Sequence, residues 1–203
     1  MRKFDTAQYL ALAERHRVTH TMLVPVQYQR IMACPDFDRA NLSRLQHKFC
    51  TSAPFSATLK AEVLQRWPGR LIEYYGMTEG GVRCELRCHD HPNRLHTVGR
   101  PGEGADFRFI DEQGRELPAG EQGEIVIHGP EVFQGYWKRP DATAGAFFEL
   151  EGKRFFRSGD LGRVDDDGYF FITDRLKRMI NASGYKVWPA EVEALMFRHP
   201  AIQ

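Results

Sequence analysis

Residues 48–75, KFCTSAPFSATLKAEVLQRWPGRLIEYY, decide the fold class. The segment begins with the strand-like run KFCTSA and ends with a second one, LIEYY. Between them, SATLKAEVLQRW places Leu59, Val63, Leu64 and Trp67 on one helical face before a Pro-Gly pair ends the helix. A helix between two strands is typical of a mostly parallel α/β sheet.

The residues before this segment repeat the scheme. Apolar residues in 6–17 have helical spacing, and THTMLVPV after them predicts a short buried strand closed by Pro25. In open α/β sheets, ligands bind at the carboxyl ends of the strands. The loop YYGMTEGG, residues 74–81, follows such an end, so we expect a ligand site there.

After about His96 the pattern changes to short β-runs. They are DFRFI, GEIVIHG, RFFRS and YFFITD, separated by turn sequences rich in Gly, Asp and Pro. The run RVDDDGYFFITD predicts a hairpin, because Asp-Gly supplies the positive φ angles of a tight turn. This part is predicted to be antiparallel β, as a small barrel.

The last residues predict a helix that begins near Pro189 and has an apolar face. Such a face needs a partner, so we expect a further domain that this chain only begins. The predicted fold is therefore α/β: a mostly parallel sheet subdomain over 1–98, a small antiparallel β-barrel subdomain over 99–176, and the start of a C-terminal α+β domain over 177–203.

Composition and charge exclude several classes of protein. With 42% hydrophobic and 27% charged residues, the chain reads as an ordinary globular protein. The net charge of +1 gives no general attraction for nucleic acid, and no run of about 20 apolar residues predicts a transmembrane helix. Four cysteines are too few and too irregular for a disulfide framework, which favours a cytoplasmic location.

Two loops carry residues suited to a nucleotide. In YYGMTEGG, Gly76 permits close approach of a ligand, Thr78 can bond a phosphate oxygen, and Glu79 can hold a hard cation such as Mg²⁺. In FRSGDLG, Asp160 can accept both hydroxyls of a ribose. Taken alone, each loop is also open to a simpler interpretation, a polar turn or an aspartate that caps its own turn.

A third segment, DRLKRMINASGYKVWPAEVE, residues 174–193, is more unusual. Together with YYGMTEGG, GEIVIHGPEVFQGYW and FFRSGDLGRVDDDGYF, in this order, it resembles the adenylate-forming superfamily of acyl- and aryl-CoA synthetases, luciferases and peptide-synthetase adenylation domains. The resemblance covers nearly the whole chain. It implies a reaction in which a carboxylate attacks the α-phosphate of ATP, with Mg²⁺ assisting, and a thiol, often that of CoA, captures the acyl-adenylate.

The resemblance assigns roles to the first two motifs. Ser52-Ala53-Pro54 matches the segment that lines the adenine pocket, with serine where glycine is commoner. Tyr75 matches the residue that stacks on the base, beside Gly76. Thr78 matches the catalytic phosphate-binding threonine and Glu79 the catalytic glutamate associated with Mg²⁺.

Further roles follow from the later motifs. Asp160 matches the ribose-binding aspartate, and Arg175 a catalytic arginine near the ribose and phosphate. Lys177 falls at the hinge before the C-terminal domain, whereas Arg178 is equally open to being a solvated surface residue. Gly184 matches the glycine that borders the pantetheine tunnel for CoA.

The acid is predicted only by class. Residues 51–55 and 80–82 are expected to border its pocket, and the hinge loop is similar to that of fatty acyl- and aryl-CoA ligases. The phosphate loop S-G-T-T-G-x-P-K and the C-terminal lysine of the family are absent, so we expect a fragment that adenylates poorly or not at all by itself. ATP–pyrophosphate exchange by the purified chain would contradict this. The alternatives are a non-catalytic adenylate-binding module and an adenylation domain for another acceptor.

A zinc site is a competing interpretation of RCELRCHDHPNRLH, residues 83–96. The candidate ligands are Cys84, Cys88, His89, His91 and His96. Structural zinc sites usually draw two ligand pairs separated by a longer loop, and the adjacent Cys88 and His89 cannot easily both face one ion. A connecting segment is therefore the preferred interpretation.

Overall fold

The computed structural model describes residues 3–80, 83–178, 180–182, 185–187, 189–196 and 199. The helices are α1 Thr6–Arg15, α2 Pro25–Met32, α3 Ala57–Arg66, α4 Pro140–Gly145 and α5 Pro189–Met196. The strands are β1 His20–Leu23, β2 His47–Cys50, β3 Arg70–Gly76, β4 Arg83–Arg87, β5 Arg100–Pro101, β6 Asp106–Ile110, β7 Gly123–His128, β8 Phe147–Leu150, β9 Lys153–Val164, β10 Phe170–Arg175, β11 Ile180–Ala182 and β12 Tyr185–Val187. Within the described residues, no helix has the length and apolar character needed to span a membrane.

The chain folds into two compact units. The first contains Met1–Met77 and Val82–Gly102, and the second contains Thr78–Gly81 and Glu103–Gln203. The boundary therefore falls inside the loop YYGMTEGG. The predicted division into three parts, at 98 and 176, stays a prediction.

The first unit contains a mixed five-stranded sheet in the order β1-β2-β3-β4-β5. Strands β1, β2 and β3 are parallel, as predicted, and α3 connects β2 to β3. Strand β4 then pairs antiparallel with β3, and β5 with β4. The sequence predicts a connecting segment over 83–96, but the structure places β4 at its start. Only six residues separate β3 from β4, too few for the crossover that a parallel partner needs, so the chain returns antiparallel.

The predicted strand THTMLVPV is shorter than expected and leads into a helix. Strand β1 ends at Leu23, and Pro25 is the first residue of α2. Proline suits this position, because the first N–H of a helix has no partner inside the helix. The side chain of Gln27 accepts a hydrogen bond from the Val24 N–H at 3.0 Å and closes the first turn. The apolar residues of α2 are fully buried at Tyr28 and Ile31.

Helix α3 begins where the sequence predicts. The hydroxyl of Ser56 accepts a hydrogen bond from the Leu59 N–H at 3.2 Å and caps the helix. Val63 and the following Trp67 are buried as predicted, whereas Leu59 and Leu64 are only half-buried. The most buried polar residue of this helix is Lys60, which is 1% exposed.

The second unit confirms the predicted antiparallel β-structure. Its main sheet has the order β10-β9-β7-β6, and β8 pairs with β9. The predicted hairpin is formed by β9 and β10, with Gly168 at a φ of +79° in its turn. The core of the sheet contains Ile110, Val126 and Phe155. Strands β11 and β12 form a separate antiparallel pair before α5.

Candidate functional site

Two predicted adenine contacts lie at neighbouring strand ends in the first unit. Cys50 of β2 is in register with Glu73 of the parallel strand β3. Ser52-Ala53-Pro54 follows β2 directly, and Tyr75 and Gly76 end β3. Because adjacent parallel strands end at the same edge of the sheet, the two segments lie side by side, at the edge where α/β sheets bind ligands.

Ser52 has a φ of +74°, in the left-handed region. Glycine adopts this conformation without steric cost, whereas a side chain there costs of order 1–3 kcal/mol. The structure therefore gives a physical reason for the glycine that is commoner at this position in the family that the chain resembles. Ser52 and its two neighbours, Ala53 and Pro54, are exposed.

The two tyrosines of the loop face opposite sides of β3. Tyr74 stacks on Phe49 with ring centroids 5.9 Å apart. Tyr75 shares the other face with Leu71 and Glu73 and is half-buried. Its role in stacking on adenine remains a prediction.

A buried ion pair lies on the same face of β3. The Lys60 ammonium is 2.5 Å from Glu73 Oε2 and donates hydrogen bonds of 2.8 Å to the carbonyls of Leu95 and Thr97. Burial raises the pKa of Glu73 to about 7, and the charge of Lys60 offsets part of that effect. The pair joins α3, β3 and the segment after β4, two residues before Tyr75.

In the second unit, Glu79 is held at its main chain and its side chain. The Phe133 N–H donates to the Glu79 carbonyl at 2.9 Å, and the Tyr136 hydroxyl donates to Glu79 Oε1 at 2.9 Å. Gly80 has a φ of +76°, and a Cβ there would lie 1.9 Å from the Glu131 carbonyl oxygen. Thr78 is exposed beside them. The hydroxyl and carboxylate of residues 78–79 are hard oxygen donors, a set that fits Mg²⁺.

Asp160 lies within a long strand and not in the tight turn that FRSGDLG predicts. Val126 of β7 pairs with Arg157, and Glu124 pairs with Leu161, so β9 uses four residues where β7 uses two. The additional residues form a bulge in which Gly159 has a φ of +70°. Bulges often redirect side chains next to active sites. This bulge carries Asp160, the residue predicted to bind the ribose.

Glu124, on the neighbouring strand β7, stabilises the bulge. Its carboxylate accepts hydrogen bonds from the Gly159 N–H at 3.2 Å and from the Arg157 guanidinium at 2.9 Å. The Ser158 hydroxyl donates to the Ile125 carbonyl at 2.6 Å and accepts from the Asp160 N–H at 3.0 Å. These contacts fix the chain from Arg157 to Asp160.

Asp160 and Arg175 are brought together. They are register partners on β9 and β10, and Arg175 Nε is 2.7 Å from Asp160 Oδ1. Asp160 is 2% exposed, whereas the Arg175 side chain is 65% exposed. The carboxylate and the guanidinium predicted to meet the ribose and phosphate are therefore direct neighbours.

Lys177, the predicted hinge residue, is exposed in a short 3₁₀ turn, Leu176–Arg178, that follows β10. Arg178 lies 2.6 Å from Glu193 of α5, so it forms an ion pair on the surface. Gly184 of the predicted pantetheine tunnel and residues 81–82 of the predicted acid pocket lie outside the described residues. Their roles, like those of the other predicted site residues, stay predictions.

The candidate zinc ligands point to different environments. Cys84 and Cys88 are fully buried, whereas His91 and His96 are exposed. Burial raises the pKa of the Cys88 thiol to about 12, which opposes the thiolate that zinc requires. Across the part of the chain that the structure describes, no three His, Cys, Asp or Glu side chains are placed to hold a metal ion.

Three supporting residues were missed by sequence reasoning: Lys60, Glu124 and Tyr136. The last two lie in the motif GEIVIHGPEVFQGYW, which was the available signal for them. The available signal for Lys60 was its partner Glu73, an acidic residue inside the otherwise apolar strand LIEYY.

Comparison with known proteins identifies the family. The family model described as AMP-binding enzyme matches residues 1–137. A feruloyl-CoA synthase from an Amycolatopsis species is 40% identical over 98% of this chain and 40% of its own length. A medium/long-chain-fatty-acid–CoA ligase, FadD8, from Mycobacterium tuberculosis is 37% identical over 98% of this chain and 35% of its own length.

A solved structure agrees. ATP-bound MatB from Rhodopseudomonas palustris superposes with a TM-score of 0.86 at 32% identity, covering 100% of this chain and 39% of that one. The chain thus spans about 40% of the length of the curated relatives that it matches. With the ordered motifs and the paired Asp160 and Arg175, these matches show that the chain belongs to the AMP-binding enzymes, the adenylate-forming superfamily that includes the acyl-CoA synthetases.

Proposed function

We propose that this chain supplies nucleotide-binding parts of an ATP-dependent acid–thiol ligase. In this reaction a carboxylate oxygen attacks the α-phosphate of ATP and pyrophosphate leaves. The thiol of CoA then captures the acyl group and releases AMP. The feruloyl-CoA synthase and the fatty-acid–CoA ligase that the chain resembles support an aromatic or aliphatic acid.

The observation that carries the proposal is the Asp160–Arg175 pair. A buried carboxylate presented by a bulge can accept from both ribose hydroxyls. The neighbouring Arg175 side chain is 65% exposed, so its guanidinium remains accessible to an anionic phosphate. A hydrogen-bond acceptor beside a cation suits the ribose hydroxyls and the phosphate of a nucleotide.

The donor set of residues 78–79 fits Mg²⁺. Glu79 would hold the ion through its carboxylate, and Thr78 would donate its hydroxyl to a phosphate oxygen. A bound Mg²⁺ neutralises charge that develops on the phosphates as pyrophosphate leaves. The protein's own part is to fix the carboxylate, which the contacts from Phe133 and Tyr136 support.

The thiol step is proposed on the sequence. Lys177, exposed after β10, would act as the hinge, and Gly184 would border the pantetheine arm of CoA. A cytoplasmic location is proposed with it, since Cys34, Cys50, Cys84 and Cys88 are free thiols in the structure and ATP and CoA are cytoplasmic substrates.

Ribose recognition tests the proposal directly. AMP, 2′-deoxy-AMP and 3′-deoxy-AMP are titrated into the chain and followed by calorimetry. We expect each missing hydroxyl to weaken binding about 10- to 100-fold, because a hydrogen bond to a charged group contributes ~1.5–3 kcal/mol. In Asp160→Asn the three ligands should bind alike. Absence of AMP binding by the unaltered chain, or an unchanged preference in Asp160→Asn, would contradict the proposal.

Thiol consumption separates a ligase from a binding module. A longer form that contains both the phosphate loop and the C-terminal lysine is given ATP, CoA and a panel of aryl and fatty acids, and free thiol is measured. We expect thiol loss with at least one acid. AMP binding without thiol loss would favour the non-catalytic module, and turnover of amino acids alone would favour a different acceptor.

A further inference from the structure

The hydroxyl of Tyr136 contacts the carboxylate that the proposed function assigns to Mg²⁺. It donates to Glu79 Oε1 at 2.9 Å, across 57 positions of sequence. To the other oxygen, Oε2, no described residue donates a hydrogen bond. The two oxygens of Glu79 are therefore distinguished by the protein before any ligand is considered.

Tyr136 is held in place by its own neighbours. Its N–H donates to Thr143 Oγ1 at 2.9 Å, and that hydroxyl donates to the Arg139 carbonyl at 2.8 Å. Its ring packs edge-to-face on Phe133 with centroids 4.8 Å apart, and Phe133 packs in turn on Phe147. The phenol is thus anchored at both its backbone and its ring.

Residues 131–133, just before Tyr136, fix the main chain of Glu79 and Gly80. Phe133 donates its N–H to the Glu79 carbonyl, and the Glu131 carbonyl occupies the space where Gly80 has no side chain. With the backbone fixed on two sides, the remaining freedom of Glu79 is rotation of its side chain. Only the Tyr136 hydroxyl restrains that rotation among the contacts of the described residues.

We propose that Tyr136 is a positioning residue that occupies Oε1 of Glu79 and so presents Oε2 to the Mg²⁺ of bound nucleotide. The inference rests on the proposed function and adds a residue to it. Hydrogen bonds to a metal-binding carboxylate orient it, and their loss typically lowers metal affinity 10–100-fold.

The test uses Mn²⁺ as the probe, because free Mn²⁺ is counted directly by electron paramagnetic resonance. Mn²⁺ is titrated into the chain with saturating ATP, and AMP affinity without metal is measured in parallel. Tyr136→Phe should bind Mn²⁺ 10–100-fold more weakly while its metal-free AMP affinity changes less than twofold. Thr143→Val keeps the phenol but removes the hydrogen bond that holds the Tyr136 backbone. It should lose Mn²⁺ affinity too, but less than Tyr136→Phe.

Two comparisons make the result specific. Tyr9→Phe removes another phenol that donates a 2.9 Å hydrogen bond, to Thr21 Oγ1, and should leave Mn²⁺ binding unchanged. In a Glu79→Gln background, adding Tyr136→Phe should have no further effect. Equal Mn²⁺ affinity in Tyr136→Phe, or an equal loss of metal-free AMP affinity, would overturn the inference. If the unaltered chain with ATP binds no Mn²⁺ beyond ATP alone, the proposed function itself fails.

Discussion

Replacing Lys60 with methionine should destabilise the first unit strongly and in a pH-dependent way. Methionine keeps much of the side-chain volume but removes the ammonium that lies 2.5 Å from Glu73 Oε2. Glu73, 4% exposed, is then a buried carboxylate without its counter-ion. The carbonyls of Leu95 and Thr97 lose their donor as well.

The magnitude follows from these contacts. Breaking one side of a buried ion pair costs about 3–5 kcal/mol, because the remaining charge is left without compensation. Glu73 can escape part of this cost by binding a proton. Its pKa is already raised to about 7 with Lys60 present, and removal of Lys60 raises it further. Each additional unit of pKa corresponds to ~1.4 kcal/mol at a pH above both values.

The sign of the pH effect is fixed by linkage. A carboxyl group with a folded-state pKa above its unfolded value favours folding at low pH, and this contribution is lost as the pH rises through the folded value. The variant should therefore lose about 3–5 kcal/mol at pH 8 and clearly less at pH 5. The assay is urea unfolding of the chain at both pH values.

Lys48→Met is the matched control. Lys48 is also fully buried and also donates to two carbonyls, those of Pro68 and Gly69, and no carboxylate lies within ion-pair distance of it among the described residues. The difference between the two variants therefore isolates the carboxylate left without its partner. Equal losses in Lys60→Met and Lys48→Met at pH 8 and pH 5 would refute the reasoning. If Lys60→Met does not fold at pH 8, Lys60→Met with Glu73→Gln should restore folding.

Two further predictions concern backbone conformation and histidine charge. Gly80→Ala should cost more than Gly114→Ala in urea unfolding, because the two glycines have nearly the same positive φ but only at Gly80 would a Cβ meet the Glu131 carbonyl. The difference should be about 1–3 kcal/mol, the usual cost of forcing an added carbon into occupied space; equal costs would show that the Glu131 contact is unimportant. Burial and the nearby His20 lower the pKa of His47, so stability should fall as the pH drops below about 6.5. His47→Gln should flatten the stability profile between pH 7 and 5, and an unchanged profile would contradict this origin.

Local patterns predicted the elements whose sequence signals agree with their environment. Helix α3 has a serine cap and a regular apolar face, and the β9–β10 hairpin has an Asp-Gly turn. Helix α2 was missed because Pro25 both ends a strand pattern and begins a helix, and no local signal separates the two roles. The antiparallel return into β4 depends on the six-residue distance along the chain from β3, which is itself a property of the sequence.

Within the candidate site, the sequence predicted only the residues that are proposed to contact ligands. Asp160 and Glu79 belong to recognisable motifs, whereas their supporting partners are distant in sequence: Glu124 contacts Gly159 across 35 positions and Tyr136 contacts Glu79 across 57. A single sequence contains no record of such long-range pairing. The bulge that carries Asp160 arises because β9 has two more residues than β7 between their matched pairs. That difference in length cannot be recognised from either strand alone.

That bulge makes the proposed nucleotide site separable from the stability of the sheet. Deletion of two residues within 158–160 would let β9 pair with β7 without interruption, and the alternation of faces on either side would be preserved, because two residues are one full period of a strand. A deletion of this kind that includes Asp160 can leave a well-folded antiparallel sheet without the carboxylate that we propose binds the ribose. Among related chains, the length of β9 opposite Glu124–Val126 should therefore separate nucleotide binders from silent relatives more reliably than similarity of fold.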